Sequence, residues 1–370
     1  MPKVSIFLSY YNDRNFLAHA IESILAQDFQ DFELILLNHA TTDNCREIAH
    51  SYTDSRIVHI DKDFNYGAGS GLLIRDMLAV ARGEYVKFCC ADDILHSDCL
   101  SKLVEYLDMN PDCDAVCSSM NFIDVNGKRL PNKMGFPNTG CNQLKTIFNG
   151  QDHICFPTVM MRTHALTNAP INNTFIMKLD TSLWTELLCR GGRFDRVDDA
   201  LVDYRLHHNQ TTRQQSDSLF LECVAFADIF YTITDVNIVQ DLCPDIEYSH
   251  SLTDADSKYC SFILALHNLQ GKNLSFAIAG YLHIDKLLND DTMRIDLEER
   301  FGFTIADFRR LYKKLPALDN FLEVETKKMG VGRLLKLLGR KVFRACTPKF
   351  YRNLLINYRL NKRHTIIKED

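Results

Sequence analysis

The sequence predicts an α/β protein built on a doubly wound, mostly parallel sheet, with a C-terminal helical extension. Two observations carry this. Over the first 110 residues, short apolar bursts of strand length alternate with stretches of helical periodicity at intervals of about 25 to 30 residues, the rhythm of repeated strand–helix–strand units. From about residue 217 onward the pattern is helical only, with breaks near Pro244, Gly271, Pro316 and Pro348.

Val4, Ile6, Phe7 and Leu8 form the first strand pattern, and Phe16, Leu17, Ala20, Ile21, Ile24 and Leu25 recur at the three-four spacing of one helix face, breaking at Gln27 and Asp28. Phe32 to Leu37 reads as the second strand. Thr41, Thr42 and Asp43 supply cap-type side chains before a helix through Ile48, and Arg56 to Ile60 is the third strand. Asn65 to Gly71 is a glycine-rich turn entering a helix through Met77, Leu78 and Ala81, and Tyr85 to Cys90 is a fourth strand ending at Asp92 and Asp93. Ser97 is placed to cap a helix whose apolar face is Leu100, Leu103, Val104 and Leu107, and residues 114 to 135 read as a strand and a turn at Asn126 and Gly127. Ligands of such sheets bind beyond the carboxyl ends of the strands, which here are Ser9 to Asn12 (with Tyr11), Asn38 to Thr42 (with His39) and Ala91 to Asp93.

The 370 residues suffice for one large domain with additions or for two domains. No run approaches the roughly 18 apolar residues of a membrane span, and Met1 to Ser9 lacks the pattern of a signal peptide, so the expected location is cytoplasmic. Thirteen scattered cysteines, without paired CxxC spacing, read as reduced and mostly buried thiols. The net charge of −6 is a sum of opposed parts: residues 327 to 370 carry thirteen Lys or Arg against Glu369 and Asp370, +11, leaving −17 for residues 1 to 326. An acidic body argues against nucleic acid as a partner, and the basic tail stands out as a separate contact surface.

Adjacent carboxylates at Asp92 and Asp93 on a strand-end rim suit a hard divalent cation that also holds substrate phosphates, although such a pair also serves as a solvated helix cap. Asp180, in the run Lys178 to Trp184, has the apolar neighbours that make a carboxylate a general base, or else it caps a helix. The segment Tyr204, Arg205, Leu206, His207, His208, Asn209 offers a permanent cation and two imidazoles, suited to a diphosphate leaving group or a metal site; the alternative is a surface loop with a packed tyrosine.

Four strings in order resemble the family 2 glycosyltransferases, inverting enzymes of the glycosyltransferase A fold, over about Lys3 to Thr212. They are KVSIFLSYYNDRNFLAHAIESILAQDFQDFELILLNHATTDN, NYGAGSGLLIRDMLAVARGEYVKFCCADD, LDTSLW and YRLHHNQTT. The resemblance implies a glycosyltransferase A-like catalytic domain over residues 1–215, a helical extension over 216–326 and a basic amphipathic tail over 327–370. It implies a nucleotide-sugar donor, UDP-sugar by default, bound by Ser9, Tyr11, Asn38, His39, Arg75, Asp92, Arg205 and His207. A manganese or magnesium ion would sit on Asp92, Asp93 and His207 of a DxD-like motif. Asp180 would be the catalytic base for a single in-line displacement onto a glycan or lipid-linked glycan acceptor in surface polysaccharide synthesis. His153, Phe156 and Thr158 are candidates for the acceptor wall, or for a core strand.

The chain departs from the family pattern at four places. Asn38 and His39 stand where an acidic pair usually contacts the nucleoside, Cys90 stands where the metal motif usually opens with aspartate, and Leu179 replaces a glutamate before Asp180. The glycine-rich segment before Arg75 is also longer than usual. These departures motivate a first alternative, a catalytically degenerate binding or assembly protein. A second, a sugar-nucleotide nucleotidyltransferase, would want a Gly- and Lys-bearing loop at Ser9 to Asn15, which has neither. In the tail, Leu334, Leu335, Leu337, Leu338, Val342 and Phe343 interleave with Arg333, Lys336, Arg340, Lys341 and Arg344. Such a basic amphipathic helix either lies on an anionic membrane surface, peripheral on the inner face of the cell membrane, or packs on the acidic body.

Overall fold

The structure is a computed structural model that describes residues 1–67, 69–131, 142–210 and 219–312. The basic tail lies outside the described residues. The chain divides into two units, Met1–Glu222 and Cys223–Asp370.

In the first unit, strands β1 (Val4–Tyr10), β2 (Phe32–Asn38), β3 (Ile57–Asp61) and β4 (Tyr85–Cys90) pair in parallel. Helices α1 (Leu17–Leu25), α2 (Cys45–His50) and α3 (Gly71–Leu78) connect them. The sheet continues through β5 (Ile94–Leu95), helix α4 (Cys99–Met109), β6 (Ala115–Ile123), helix α5 (Gln143–Phe148), β7 (Val159–Arg162), helices α6 (Thr163–Thr167) and α7 (Leu179–Cys189), and β8 (Phe194–Arg205). Its order is β3-β2-β1-β4-β7-β6-β8-β5; β7 runs antiparallel to β4 and β6, β5 runs antiparallel to β8, and the other pairs are parallel. The mostly parallel sheet expected from the alternation is therefore present, with antiparallel insertions beyond β4.

The central strands are apolar on both faces because helices cover both: every residue of β2 is buried, and β1 is buried except at Ser9. Leu17, Ala20, Ile21 and Ile24 of α1 pack one helical face into this core, each large side chain contributing about 1.5–3 kcal/mol by leaving water. Trp184 is fully buried against Phe88, Phe156 and Phe194. Thr158 is buried, and Phe156 is half-buried between Phe88 and Trp184.

Two expectations about caps are corrected. Ser97 does not cap α4; the Leu100 N–H is taken by the Gln27 side chain (3.0 Å), whose amide also donates to the Ser23 and His96 carbonyls. Asp180 is not the N-cap of α7. Lys178 occupies that position, and Asp180 follows two residues later, within the first turn. The described cysteines are free thiols, most of them buried, as expected.

The second unit carries helices at Val236–Leu242, Cys260–Gln270, Leu274–Leu288, Asp291–Phe301 and Ile305–Tyr312. Helices 260–270 and 274–288 pack at backbone contact: a Cβ on Gly280 would lie 2.3 Å from the Ala265 carbonyl oxygen. No described helix is long and apolar enough to cross a membrane.

One buried polar network fixes the entry to β4. Glu33, only 1% exposed, accepts from the Ser5 hydroxyl (2.7 Å), the Arg82 backbone N–H (2.7 Å) and the Arg82 guanidinium (2.8 and 2.6 Å). Removing the carboxylate strands buried donors. Glu33→Ala is expected to cost about 2–4 kcal/mol in urea unfolding; an unchanged midpoint would show that the network carries no stability.

Candidate functional site

The carboxyl ends of β1, β2 and β4 meet side by side. In the parallel register Ser9 pairs with Leu37 and Cys90, and Tyr10 pairs with Asn38, so residues from three sequence regions share one rim. The loops after β1 and β2 are laced together at two left-handed residues, Asn12 (φ 59°) and Ala40 (φ 55°). Left-handed backbone costs about 1–2 kcal/mol for an L-residue. Asn12 offsets it by accepting the Thr42 N–H (2.9 Å) and donating its own N–H to the Thr41 hydroxyl (2.9 Å).

One side of the rim is aromatic. His39 is buried, and its Nε2 accepts the Tyr66 N–H, which leaves the proton on Nδ1; burial lowers its proton affinity and the nearby Lys62 adds to that. Tyr66 and Tyr11 flank it with ring centroids 5.5 and 6.2 Å away, and Phe64, 60% exposed, meets Tyr66 edge-on at 4.7 Å. Asn38 is fully engaged, donating to Asp61 Oδ1 (2.9 Å) and accepting the Thr41 N–H (2.9 Å).

The other side is acidic. Asp92 and Asp93 form the turn between β4 and β5, and ligand atoms of Cys90, Asp92 and Asp93 all lie within 4.8 Å of one another. Asp93 is 4% exposed; its Oδ1 accepts the Arg205 N–H (2.9 Å), while its Oδ2 is buried without a protein partner. Burial and the adjacent Asp92 raise its proton affinity well above the usual carboxylate range. An orphaned carboxylate oxygen beside a second carboxylate is the arrangement a cation satisfies, so the residues fit a divalent metal.

Asp92 is held from the far end of β8. His207 Nε2 lies 2.9 Å from Asp92 Oδ2, and the imidazole rests against Phe16 at 4.9 Å. The Arg205 guanidinium donates to the carbonyls of Asp92 (2.8 Å), Asp124 (3.2 Å) and Val125 (3.2 Å), with the Phe16 ring 4.9 Å away. At 2% exposure it is spent on the main chain, so it braces the rim instead of standing free for a phosphate. Asp13 joins the group: burial raises it to about 6, and the charge of Asp92 adds to the shift.

Asp180 sits in the first turn of α7. Its Oδ1 accepts the Thr181 N–H (2.7 Å), and the Thr181 hydroxyl donates to Asp152. Burial, then repulsion from Asp152, pushes Asp180 far above the ordinary aspartate value. The Cys155 thiol feels charges from both acidic regions. Burial and the charges of Asp93, Asp180 and Asp152 together raise it well above the ordinary thiol value.

Helix α7 has no side-chain cap of its own. The backbone leading into it is held by Glu222, from the helix Leu219–Phe226, whose Oε2 accepts from Ile176 (3.0 Å), Met177 (2.7 Å) and the N-cap residue Lys178 (3.0 Å). The glycine-rich segment supports the same loop. A Cβ on Gly69 would lie 2.5 Å from the Ile176 oxygen, and one on Gly71 would lie 2.3 Å from the Asn172 oxygen. Arg75 donates to the Ile171 carbonyl (2.8 Å) and Asn173 Oδ1 (3.3 Å). These glycines and Arg75 therefore hold the loop that delivers Asp180.

Of the expected residues, Asp92, Asp93 and His207 form one group with Arg205 behind it, while Ser9, Tyr11, Asn38 and His39 share the neighbouring strand ends. Asp180 is joined to Asp152 through Thr181, and its charge acts on the Cys155 thiol as that of Asp93 does; Arg75 is hydrogen-bonded to the loop preceding α7. Sequence reasoning missed Asp13, Tyr66, Asp152 and Glu222. Asp13 had a signal, one residue past the predicted rim, whereas Asp152 and Glu222 reach α7 only through the folded chain.

Residues 5–167 match Glycosyl transferase family 2. EpsE, a candidate glycosyltransferase of Bacillus subtilis (strain 168), is 31% identical over 215 residues, covering 55% of this chain and 73% of EpsE. An uncharacterized glycosyltransferase of Methanocaldococcus jannaschii is 28% identical over 229 residues, 59% of this chain and 77% of that one. TuaG of B. subtilis, a candidate glycosyltransferase of teichuronic acid biosynthesis, is 27% identical over 212 residues, 56% of this chain and 81% of TuaG. Among solved structures, S. aureus TarS in complex with UDP-GlcNAc superposes with a TM-score of 0.53 at 17% identity, over 97% of this chain and 92% of that one, a likeness of fold. The strand order, the rim of acidic and aromatic side chains and the extent of these matches lead to one assignment: the chain belongs to glycosyl transferase family 2.

Proposed function

We propose that the protein transfers a sugar from a nucleotide-sugar donor to a hydroxyl of a glycan or lipid-linked glycan acceptor, with inversion at the anomeric carbon. The observation that carries this reading is Asp180: a carboxylate in the first turn of a helix whose proton affinity is raised by burial and by the charge of Asp152. A group tuned in this way accepts the acceptor hydroxyl's proton as its oxygen attacks the anomeric carbon. The Asp152 charge sustains that proton affinity, and Glu222 with the glycine contacts holds the base in place. Asp92 and Asp93 would hold a divalent cation, which supplies charge neutralisation at the departing diphosphate. His207 orients Asp92, and Arg205 keeps the two loops that carry these groups at fixed separation. Tyr11, His39 and Tyr66 provide a surface on which a nucleobase stacks.

UDP-sugar is the donor to test first, because TarS binds UDP-GlcNAc on the same fold. The teichuronic acid assignment of TuaG supports surface polysaccharide synthesis as the setting. In this reading the domains divide as residues 1–215, 216–326 and 327–370, and the basic tail holds the protein peripherally on the inner face of the cell membrane. Flotation with anionic vesicles is expected for the full chain and lost for one ending at Met329; equal flotation of both would remove the membrane role.

Donor binding is measured by thermal shift with UDP-, GDP-, CDP- and TDP-sugars, and turnover by donor hydrolysis or transfer. Asp180→Asn is expected to lower turnover by about 10²–10⁴-fold while donor binding persists. Asp92→Ala weakens donor binding in the presence of metal; wild-type turnover in both variants would refute the mechanism. A second consequence is independent of activity. The folded state raises the proton affinity of Asp180, so the stability contributed by its proton is complete below the unfolded value near pH 4. That contribution is lost as pH rises through the raised folded value. The melting temperature of Asp180→Asn relative to wild type is therefore expected to climb between about pH 4 and about pH 8. A difference independent of pH would show that Asp180 titrates normally.

A further inference from the structure

We propose that Cys90 is itself a metal ligand, and that the centre it forms with Asp92 and Asp93 selects a borderline cation of the zinc or cobalt class over magnesium and manganese. The proposal rests on the reading above that a divalent cation sits here, and it departs from the hard ion that the family resemblance implies.

The first argument is geometric. Ligands of one tetrahedral ion, each about 2.0–2.3 Å from it, stand about 3.3–3.8 Å apart. The sulfur of Cys90 and a carboxylate oxygen of each aspartate already fall within 4.8 Å of one another, so side-chain movements of about 1 Å or less bring them onto a common sphere. Cys90 is the last residue of β4 and pairs in register with Ser9 of β1, so its position is set by the sheet and not by a loose loop.

The second argument is the orphaned oxygen. Asp93 is more than nine-tenths buried, with Oδ2 unpartnered and its other oxygen taken by the Arg205 backbone N–H. A buried carboxylate with one satisfied oxygen is oriented for a single further bond, and the atoms nearest in kind are the sulfur and the Asp92 carboxylate. His207, 2.9 Å from Asp92 Oδ2, is the imidazole that fixes a ligating carboxylate.

The third argument is chemical. Magnesium demands oxygen ligands in near-octahedral array and sheds water reluctantly, and manganese shares the preference for carboxylate and water. Sulfur ligands favour zinc and its substitutes instead. On binding, the sulfur–hydrogen bond of Cys90 is replaced by a sulfur–metal bond, and the proton leaves to solvent. No oxidation is involved. Cys155, which shares this neighbourhood, is the internal control because it is outside the convergent group.

The test uses the full-length protein stripped of metal with a chelator. Cobalt(II) is titrated while the near-ultraviolet sulfur-to-cobalt charge-transfer band is recorded. Melting temperatures are measured in parallel with magnesium, manganese, cobalt and zinc. The band is expected in wild type and in Cys155→Ser and absent in Cys90→Ser. Zinc and cobalt are expected to stabilise wild type at concentrations about tenfold or more below those needed of magnesium. Cys90→Asp is expected to abolish the band and to narrow the gap between magnesium and cobalt, so it carries the test if Cys90→Ser fails to fold. A band that survives in Cys90→Ser, or equal stabilisation of wild type by magnesium and cobalt, overturns the proposal. Donor binding separates this outcome from the fate of the functional reading: a protein that binds a UDP-sugar with magnesium alone loses the thiol ligand but keeps the transferase assignment. Cobalt bound at Cys90 without affinity for any nucleotide-sugar does the reverse.

Discussion

Arg205 is the interaction on which the site depends. Its backbone N–H satisfies Asp93, and its guanidinium gathers three carbonyls from the acidic turn and the turn after β6. A buried guanidinium is tolerable only when its donors are paired, and here the pairing is with main-chain oxygens whose positions the sheet already sets. The acidic turn after β4 is thereby clamped to the end of β8, two strands that are not neighbours in the sheet. Two carboxylates crowded against a thiol would otherwise repel one another apart. The brace and the His207 contact hold them together in readiness for a cation.

A second constraint acts on the other carboxylate. Helix α7 begins without a side-chain cap, and a single oxygen of Glu222 accepts the N–H groups of the three residues that lead into it. The α3 entry approaches the same loop so closely that only glycine fits at residues 69 and 71. The proton-acceptor role proposed for Asp180 requires a fixed position, and these contacts from two distant parts of the chain constrain the backbone that carries it without touching the carboxylate. Asp152 contributes differently: its negative charge, arriving through Thr181, keeps Asp180 from ionising easily.

The alternation of apolar bursts and helical faces was legible in the sequence for β1 to β4 and α1 to α4, because strands buried on both faces leave continuous apolar runs. Asp92 and Asp93 were legible for the same reason, since an acidic pair at the end of such a run marks a rim. The antiparallel strand β7 was less so: its four residues sit between β4 and β6, and no local period distinguishes that pairing from a parallel one. Caps were the weakest element. Ser97 has the right chemistry to begin α4, yet Gln27, from the end of α1, provides the bond. Arg205 and Arg75 were identifiable as cations near the site, but only the fold shows their guanidinium groups spent on carbonyls.

By itself the sequence determined the α/β class, the three strand ends that line the rim, and the carboxylates available there, because periodicity and turn chemistry are local properties. The tertiary structure decided which of those groups act together. Proton affinities follow from burial and from neighbours such as Asp152, which lies 28 residues from Asp180, and the grouping of Cys90 with Asp92 and Asp93 follows from the register that places Cys90 beside Ser9. Electrostatic and coordinative interactions act over a few ångströms of space, and spacing along the chain carries almost none of that information.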